Sequence, residues 1–132
     1  MKFSWPVRVY YEDTDSGGVV YYANYLKYYE RGRTEYLRQL GFEQDKLIAE
    51  ENIIFAVRNI NVDYLYPAIF NDQLTVITEI SEINKASLCF KQSIEDKQQK
   101  VLNTAVCKIA CLSADGFKPK KLPDALVQQC VL

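Results

Sequence analysis

Hydrophobic residues recur at spacings of three and four from Ala23 to Leu40, and this pattern predicts one long amphipathic helix. The stripe along its apolar side is formed by Tyr22, Leu26, Tyr29, Arg33, Tyr36, Leu37 and Leu40. Gly41 stands where a residue in the left-handed conformation would end this helix. A second, shorter helix is expected over Gln44 to Glu50.

Most of the remaining chain has the composition of β-strands. A first strand is predicted over Val7 to Glu12, before the long helix, and a last helical turn after Pro123. Four further strands are predicted over Ile53 to Tyr66, Leu74 to Ile83, Ala86 to Ile94 and Lys100 to Leu112. In the first of these four strands, alternation places six residues on one face: Ile54, Ala56, Arg58, Ile60, Val62 and Tyr64.

One long helix with about five strands, the later ones consecutive, predicts an α+β fold in which an antiparallel sheet packs on a single helix. A single helix covers only one face of such a sheet, so apolar surface remains and a partner subunit is expected. The 132 residues contain 48% hydrophobic residues and no linker-like stretch. A single domain over residues 1–132 is therefore expected.

Charge and segment composition exclude several classes of protein. The chain has 16 basic and 17 acidic residues and a net charge of −1. It therefore lacks the excess of basic residues that is typical of a nucleic-acid-binding protein. The first residues show no apolar signal segment, and no apolar run is long enough to span a membrane. These features predict a cytoplasmic protein without a membrane span.

The chain contains no histidine, which restricts its chemistry. Ser-His-Asp and Cys-His nucleophile systems need an imidazole base, and a histidine-liganded metal site is equally excluded. The four cysteines are Cys89, Cys107, Cys111 and Cys130, and their spacing contains no CxxC pair. We interpret them as small buried thiols in a reducing compartment and expect neither a metal nor a cofactor.

The strongest candidate for chemistry is the turn from Asp13 to Gly18, which has seven of the ten tyrosines around it between Tyr10 and Tyr29. Two carboxylates and two glycines precede a helix N-terminus, whose free backbone N–H groups can polarise a carbonyl. Asp15 or Asp13 could then supply a base or a nucleophile. Most clusters of this kind before a helix serve only as caps and turns, and the tyrosines suit an acyl-binding groove or a subunit interface.

The run VRVYYEDTDSGGVVYYANYLKYYERGRTEYLR, from Val7 to Arg38, resembles the opening of YbgC-type acyl-CoA thioesterases. These form part of the 4-hydroxybenzoyl-CoA thioesterase branch of the hotdog fold. The likeness continues through FAVRNINVDY, from Phe55 to Tyr64. It implies a five-stranded sheet wrapped on a central helix, hydrolysis of acyl-CoA to a free acid and coenzyme A, and no metal. It also implies a homodimer or a dimer of dimers, with active sites at subunit interfaces.

The resemblance assigns roles to individual residues. The family's catalytic carboxylate falls on Asp15, as nucleophile or as general base for water, and the thioester-polarising backbone amide falls on Tyr22. Many relatives have histidine where this chain has Tyr22, so no imidazole assists here. Asp13 is expected to brace the turn.

The substrate-binding residues of the family fall on later strands. The groove for the pantetheine arm maps onto Phe55, Ala56 and Val57. Of the basic cluster near the coenzyme phosphates only Lys85 remains, and Arg58 is a second candidate. Both could instead be ordinary surface side chains.

Three alternatives stay open. Acyl carrier protein thioesters could compete with coenzyme A thioesters. A hotdog dehydratase would need a histidine with its carboxylate, which argues against that activity. A non-catalytic acyl-thioester binding or scaffold protein could share the fold, but such a protein would not need a carboxylate at Asp15.

Overall fold

Five β-strands form one sheet in the computed structural model, which describes residues 1–130. The strands are β1 (Phe3–Arg8), β2 (Ile53–Tyr64), β3 (Gln73–Ile83), β4 (Ser87–Glu95) and β5 (Val101–Ser113). Their order across the sheet is β1-β3-β4-β5-β2, and every neighbouring pair is antiparallel. The predicted α+β class is confirmed, with β1 and β2 as the two edges.

Helix α1 (Asn24–Gln39) agrees with the long helix predicted from the periodicity, and Gly41 follows it with a φ of +97°. Its buried face differs from the prediction in the first turns. Tyr22 and Leu26 are 61% and 38% exposed, whereas Tyr25 and Tyr28 are buried. The helix start packs against the segment that carries Val9 and Val20, and this segment turns the buried face toward Tyr25 and Tyr28.

The prediction for the first strand is wrong by several residues. The strand begins at Phe3 and ends at Arg8, and Tyr11–Asp13 forms a 3₁₀ turn. Pro6 lies within β1, which an edge strand tolerates because one side of its backbone needs no partner. Directly after β1, the Val9 amide donates to the Asp72 carbonyl and the Val9 carbonyl accepts from the Asn71 amide, just before β3.

A β-bulge at Arg58 changes which side chains of β2 face the helix. Phe55 before the bulge and Ile60 and Val62 after it pack against the core. The predicted single face, which joined Ala56 with Ile60, is therefore wrong. An extra residue in one strand shifts the alternation by one, and local sequence does not reveal that shift.

A buried polar network joins α1 to the sheet. Arg33 is only 6% exposed, and its Nη1 donates to Oε1 of Gln92 at 3.0 Å. Nε2 of Gln92 donates to the Tyr29 carbonyl at 3.0 Å and to Oγ1 of Thr78 at 2.9 Å. The helix approaches closely here, since a Cβ on Gly32 would lie 2.7 Å from Cγ1 of Val76.

The described part of the chain contains two further helices, α2 (Gln44–Glu51) and α3 (Asp124–Gln129), close to their predicted positions. All four cysteines are free thiols, and burial raises the pKa of Cys107, Cys111 and Cys130. Within residues 1–130, none of the helices has the length and apolar character that crossing a membrane requires.

Candidate active site

A tight turn from Asp15 to Gly18 carries the predicted catalytic carboxylate. The Gly18 amide donates to the Asp15 carbonyl at 3.0 Å, and Gly18 has a φ of +81°, which favours glycine. The Asp15 amide donates to the Val19 carbonyl at 2.9 Å. Oδ1 of Asp15 accepts a hydrogen bond from the Gly17 amide at 2.8 Å, whereas Oδ2 has no partner among residues 1–130. Asp15 is exposed, and its carboxylate is held in place through one oxygen.

Asp13 braces this turn, as expected. Its Oδ2 accepts hydrogen bonds from the Tyr28 hydroxyl at 2.8 Å and from the Tyr10 amide at 2.9 Å. Its carbonyl accepts from the Tyr21 amide and from the side chain of Asn24, both at 2.9 Å. Burial, together with the hydrogen bond to Asp13, raises the pKa of the Tyr28 phenol. The carboxylate of Asp13 is thus occupied by structural contacts.

The backbone amides of Tyr22 and Ala23 lie just before α1 and have no hydrogen-bond partner in the described part of the chain. Ala23 is the N-cap residue, and no side chain caps the helix. Neither Asp13 nor Asp15 therefore caps α1, so the capping interpretation of these aspartates is wrong for this helix. Two adjacent N–H groups at the positive end of a helix can together bind a carbonyl oxygen.

Aromatic side chains surround these amides. The Tyr22 ring lies 4.9 Å from the Tyr21 ring and 6.1 Å from the Tyr64 ring, measured between centroids. The neighbouring Tyr22 phenol, with a smaller contribution from the charge on Asp15, raises the pKa of the Tyr21 phenol. An open groove of about 250 Å³ is lined by Val20, Tyr22, Tyr25, Tyr64, Leu65, Tyr66 and Pro67. This groove offers apolar surface beside the amides.

The predicted substrate-binding residues lie elsewhere. Phe55 and Val57 line a cavity of about 100 Å³ between α1 and β2, next to Arg33. Ala56 is half-buried, and Arg58 is exposed at the bulge. Lys85 is exposed in the turn between β3 and β4, where its carbonyl accepts a hydrogen bond from the Leu122 amide.

The sheet register places these two groups at opposite ends. Ala56, Ala110 and Ser87 form one row across β2, β5 and β4, close to Lys85. Tyr64, at the other end of β2, touches Tyr22. The eight residue-to-residue steps from Ala56 to Tyr64 span about 25 Å as an extended strand. One chain therefore does not bring Asp15 and Tyr22 together with the predicted coenzyme-binding residues.

Tyr25 and Tyr64 belong to the site but were not singled out from the sequence. The Tyr25 hydroxyl accepts a hydrogen bond from the Ala68 amide at 3.0 Å, which connects the segment around Ala68 to α1 beside the groove. Tyr64 reaches Tyr22 across 42 positions of sequence. The high local density of tyrosines was a signal for Tyr25, but nothing in the sequence indicated Tyr64.

Comparison with known proteins decides the family. The thioesterase superfamily model matches residues 17–103. The acyl-CoA thioester hydrolase YbgC of Escherichia coli O6:H1 is 46% identical over 127 residues, covering 96% of this chain and 94% of that protein. The chain belongs to the thioesterase superfamily. The acyl-CoA thioesterase YbgC of Haemophilus influenzae is 46% identical over 121 residues, covering 92% of this thioesterase and 88% of that protein.

A solved structure supports the same conclusion. A probable thioesterase from Bartonella henselae superposes with a TM-score of 0.89 at 36% identity, covering 93% of this thioesterase and 100% of that chain. The hotdog fold and the thioester hydrolase expected from the sequence are confirmed. The family match begins two positions after Asp15 and therefore does not test the role of this carboxylate.

Proposed function

We propose that this thioesterase hydrolyses acyl-CoA thioesters to a free acid and coenzyme A, with Asp15 as the reacting carboxylate. The backbone amide of Tyr22 polarises the thioester carbonyl. One observation supports the proposal most directly. The Asp15 carboxylate is exposed, has one hydrogen bond, and lies on the segment that leads to the unpaired backbone amides before α1. Relatives named acyl-CoA thioester hydrolases support the substrate class.

The chemistry fits a protein without histidine. A thioester is already activated, so a carboxylate can attack its carbonyl carbon, releasing the thiolate and leaving a mixed anhydride for water to open. In the other route the carboxylate takes a proton from the water that attacks the carbon. Both routes develop negative charge on the carbonyl oxygen, and one lost donor to such an oxygen typically lowers the rate by about 10²–10³.

We also propose that the complete site forms between two copies of the chain. Strand β2 is an edge with 12 residues and no partner on its outer side within the described chain. Two such edges paired antiparallel about a two-fold axis would place one end of β2 beside the opposite end in the second copy. Phe55, Ala56, Val57 and Arg58 of the second copy would then lie near Asp15. A pair of these dimers would give the tetramer.

The reducing cytoplasm is the compartment we propose for this thioesterase. The four free thiols support this placement, since disulfides form and persist in oxidising compartments and are rare in the cytosol.

Thiol release from a panel of short, long and aromatic acyl-CoAs and acyl carrier protein thioesters tests the proposal. In Asp15→Asn, Oδ1 still accepts from the Gly17 amide, so the turn is retained, and we expect kcat to fall by about 10²-fold or more. Tyr22→Phe keeps the backbone amide and is the matched control, with only a mild loss.

Full activity in Asp15→Asn would remove this carboxylate from the mechanism. A collapse of kcat in Tyr22→Phe would assign chemistry to the phenol instead of the amide. Binding of acyl-CoA without thiol release across the whole panel would favour the non-catalytic binding protein.

A further inference from the structure

Tyr64 ties the last residue of β2 to the start of α1. Its hydroxyl donates a hydrogen bond to the Tyr22 carbonyl oxygen at 3.2 Å. Its ring packs edge-on against the Tyr22 ring at 88° and lies 5.8 Å from the buried Tyr25 ring. Three contacts therefore fix the Tyr64 hydroxyl beside the amides assigned to the thioester oxygen.

The Tyr22 carbonyl and the Ala23 amide belong to the same peptide group. A hydrogen bond accepted by the oxygen of a peptide polarises its N–H and makes it a stronger donor. The Ala23 N–H has no partner among residues 1–130, so it is free to donate. The other donor to the Tyr22 carbonyl is the Tyr25 amide, at the longer distance of 3.4 Å. Tyr64 thus supplies the shorter of the two bonds that orient this peptide.

We propose that Tyr64 is a positioning residue, whose hydroxyl orients and polarises the Tyr22–Ala23 peptide so that the Ala23 N–H is a second donor to the thioester oxygen. The inference rests on the proposed function, and it adds one donor and one residue to it. Tyr64 acts through the peptide and does not itself touch the reacting atoms.

Two properties of Tyr64 suit this role. Burial and the neighbouring Tyr22 raise the pKa of the Tyr64 phenol, so the hydroxyl keeps its proton through the neutral range. Tyr22 is 61% exposed and its carbonyl keeps the Tyr25 amide as a donor, so removal of the Tyr64 hydroxyl leaves no buried polar group without a partner. Tyr64→Phe should therefore change the donor without unfolding the protein.

The test compares Tyr64→Phe with Tyr36→Phe. The Tyr36 hydroxyl also donates to a backbone carbonyl at 3.2 Å, that of Met1, but its ring packs in a core cluster and does not line the groove. We expect Tyr64→Phe to lower kcat about fivefold, the effect of one neutral hydrogen bond, with KM within twofold of the wild type. Tyr36→Phe should leave both constants unchanged.

A spectroscopic measurement separates positioning from structural support. An acyl-CoA with ¹³C at the thioester carbonyl is bound to Asp15→Asn, in which hydrolysis is expected to be about 10²-fold slower or more. Polarisation by the amides shifts the carbonyl resonance downfield on binding, and adding Tyr64→Phe should reduce that shift. Adding Tyr36→Phe instead should leave the shift unchanged.

An unchanged carbonyl shift, an unchanged kcat, an effect on KM alone, or loss of the fold in Tyr64→Phe would each overturn the role of Tyr64. A carbonyl that shows no shift in Asp15→Asn itself would instead contradict the amide-polarising mechanism of the proposed function. The two failures are therefore distinguishable.

Discussion

The hydrogen bond from Tyr28 to Asp13 is the contact through which the buried helix face supports the Asp15 turn. Tyr28 is 1% exposed, and its hydroxyl lies 2.8 Å from Oδ2 of Asp13. Tyr28→Phe keeps the ring and its packing, so the substitution creates almost no cavity. The only loss is one donor to a carboxylate that still accepts from the Tyr10 amide.

The size of the effect follows from this geometry. A hydrogen bond to a charged group contributes about 1.5–3 kcal/mol to stability. Because Asp13 keeps a second donor and is half-buried, we expect Tyr28→Phe to lower the free energy of unfolding by about 1.5 kcal/mol, the lower end of that range. Asp13 also holds the Tyr21 amide next to Tyr22, so kcat should fall a few-fold.

A double-mutant cycle with Asp13→Asn measures the interaction directly. Urea denaturation of the four proteins at one protein concentration gives the coupling free energy, and thiol release gives kcat for each. We expect a coupling of about 1 kcal/mol or more between the two positions. A coupling near zero, or a Tyr28→Phe variant as stable as the wild type, would refute the bracing role of this bond.

Two further predictions concern the core and the assembly. Gln92→Leu removes the acceptor of the buried Arg33 guanidinium. We expect it to lower the free energy of unfolding, measured by urea denaturation, by about 3 kcal/mol. Gln98→Leu, in an exposed turn, is the control and should have little effect. Asp15→Asn and Arg58→Glu should each impair thiol release. When the two variants are mixed, half of the dimers are hybrids, and each hybrid has one intact site with Asp15 from one copy and Arg58 from the other. The mixture should therefore show about one quarter of wild-type thiol release. No recovery would place Asp15 and Arg58 in the same copy's site.

The sequence by itself determined the elements and the chemistry of the turn. The helix repeat before Gly41 and the alternating strands after Ile53 depend on neighbouring residues, so their existence follows from local pattern. The motif around Asp15 likewise carries its turn residues within four positions, and the structure builds it as a tight turn. The family resemblance rested on the same contiguous residues and was confirmed.

The tertiary structure decided which faces are buried and which residues meet. The bulge at Arg58 depends on pairing with β5, which lies about 50 residues later in the chain, so alternation within β2 wrongly grouped residues from both sides of the bulge on one face. The burial of Tyr28 depends on the segment packed over the helix start. Tyr64 meets Tyr22 only because β2 and α1 end side by side. Such contacts join residues distant in sequence, and no local period encodes them.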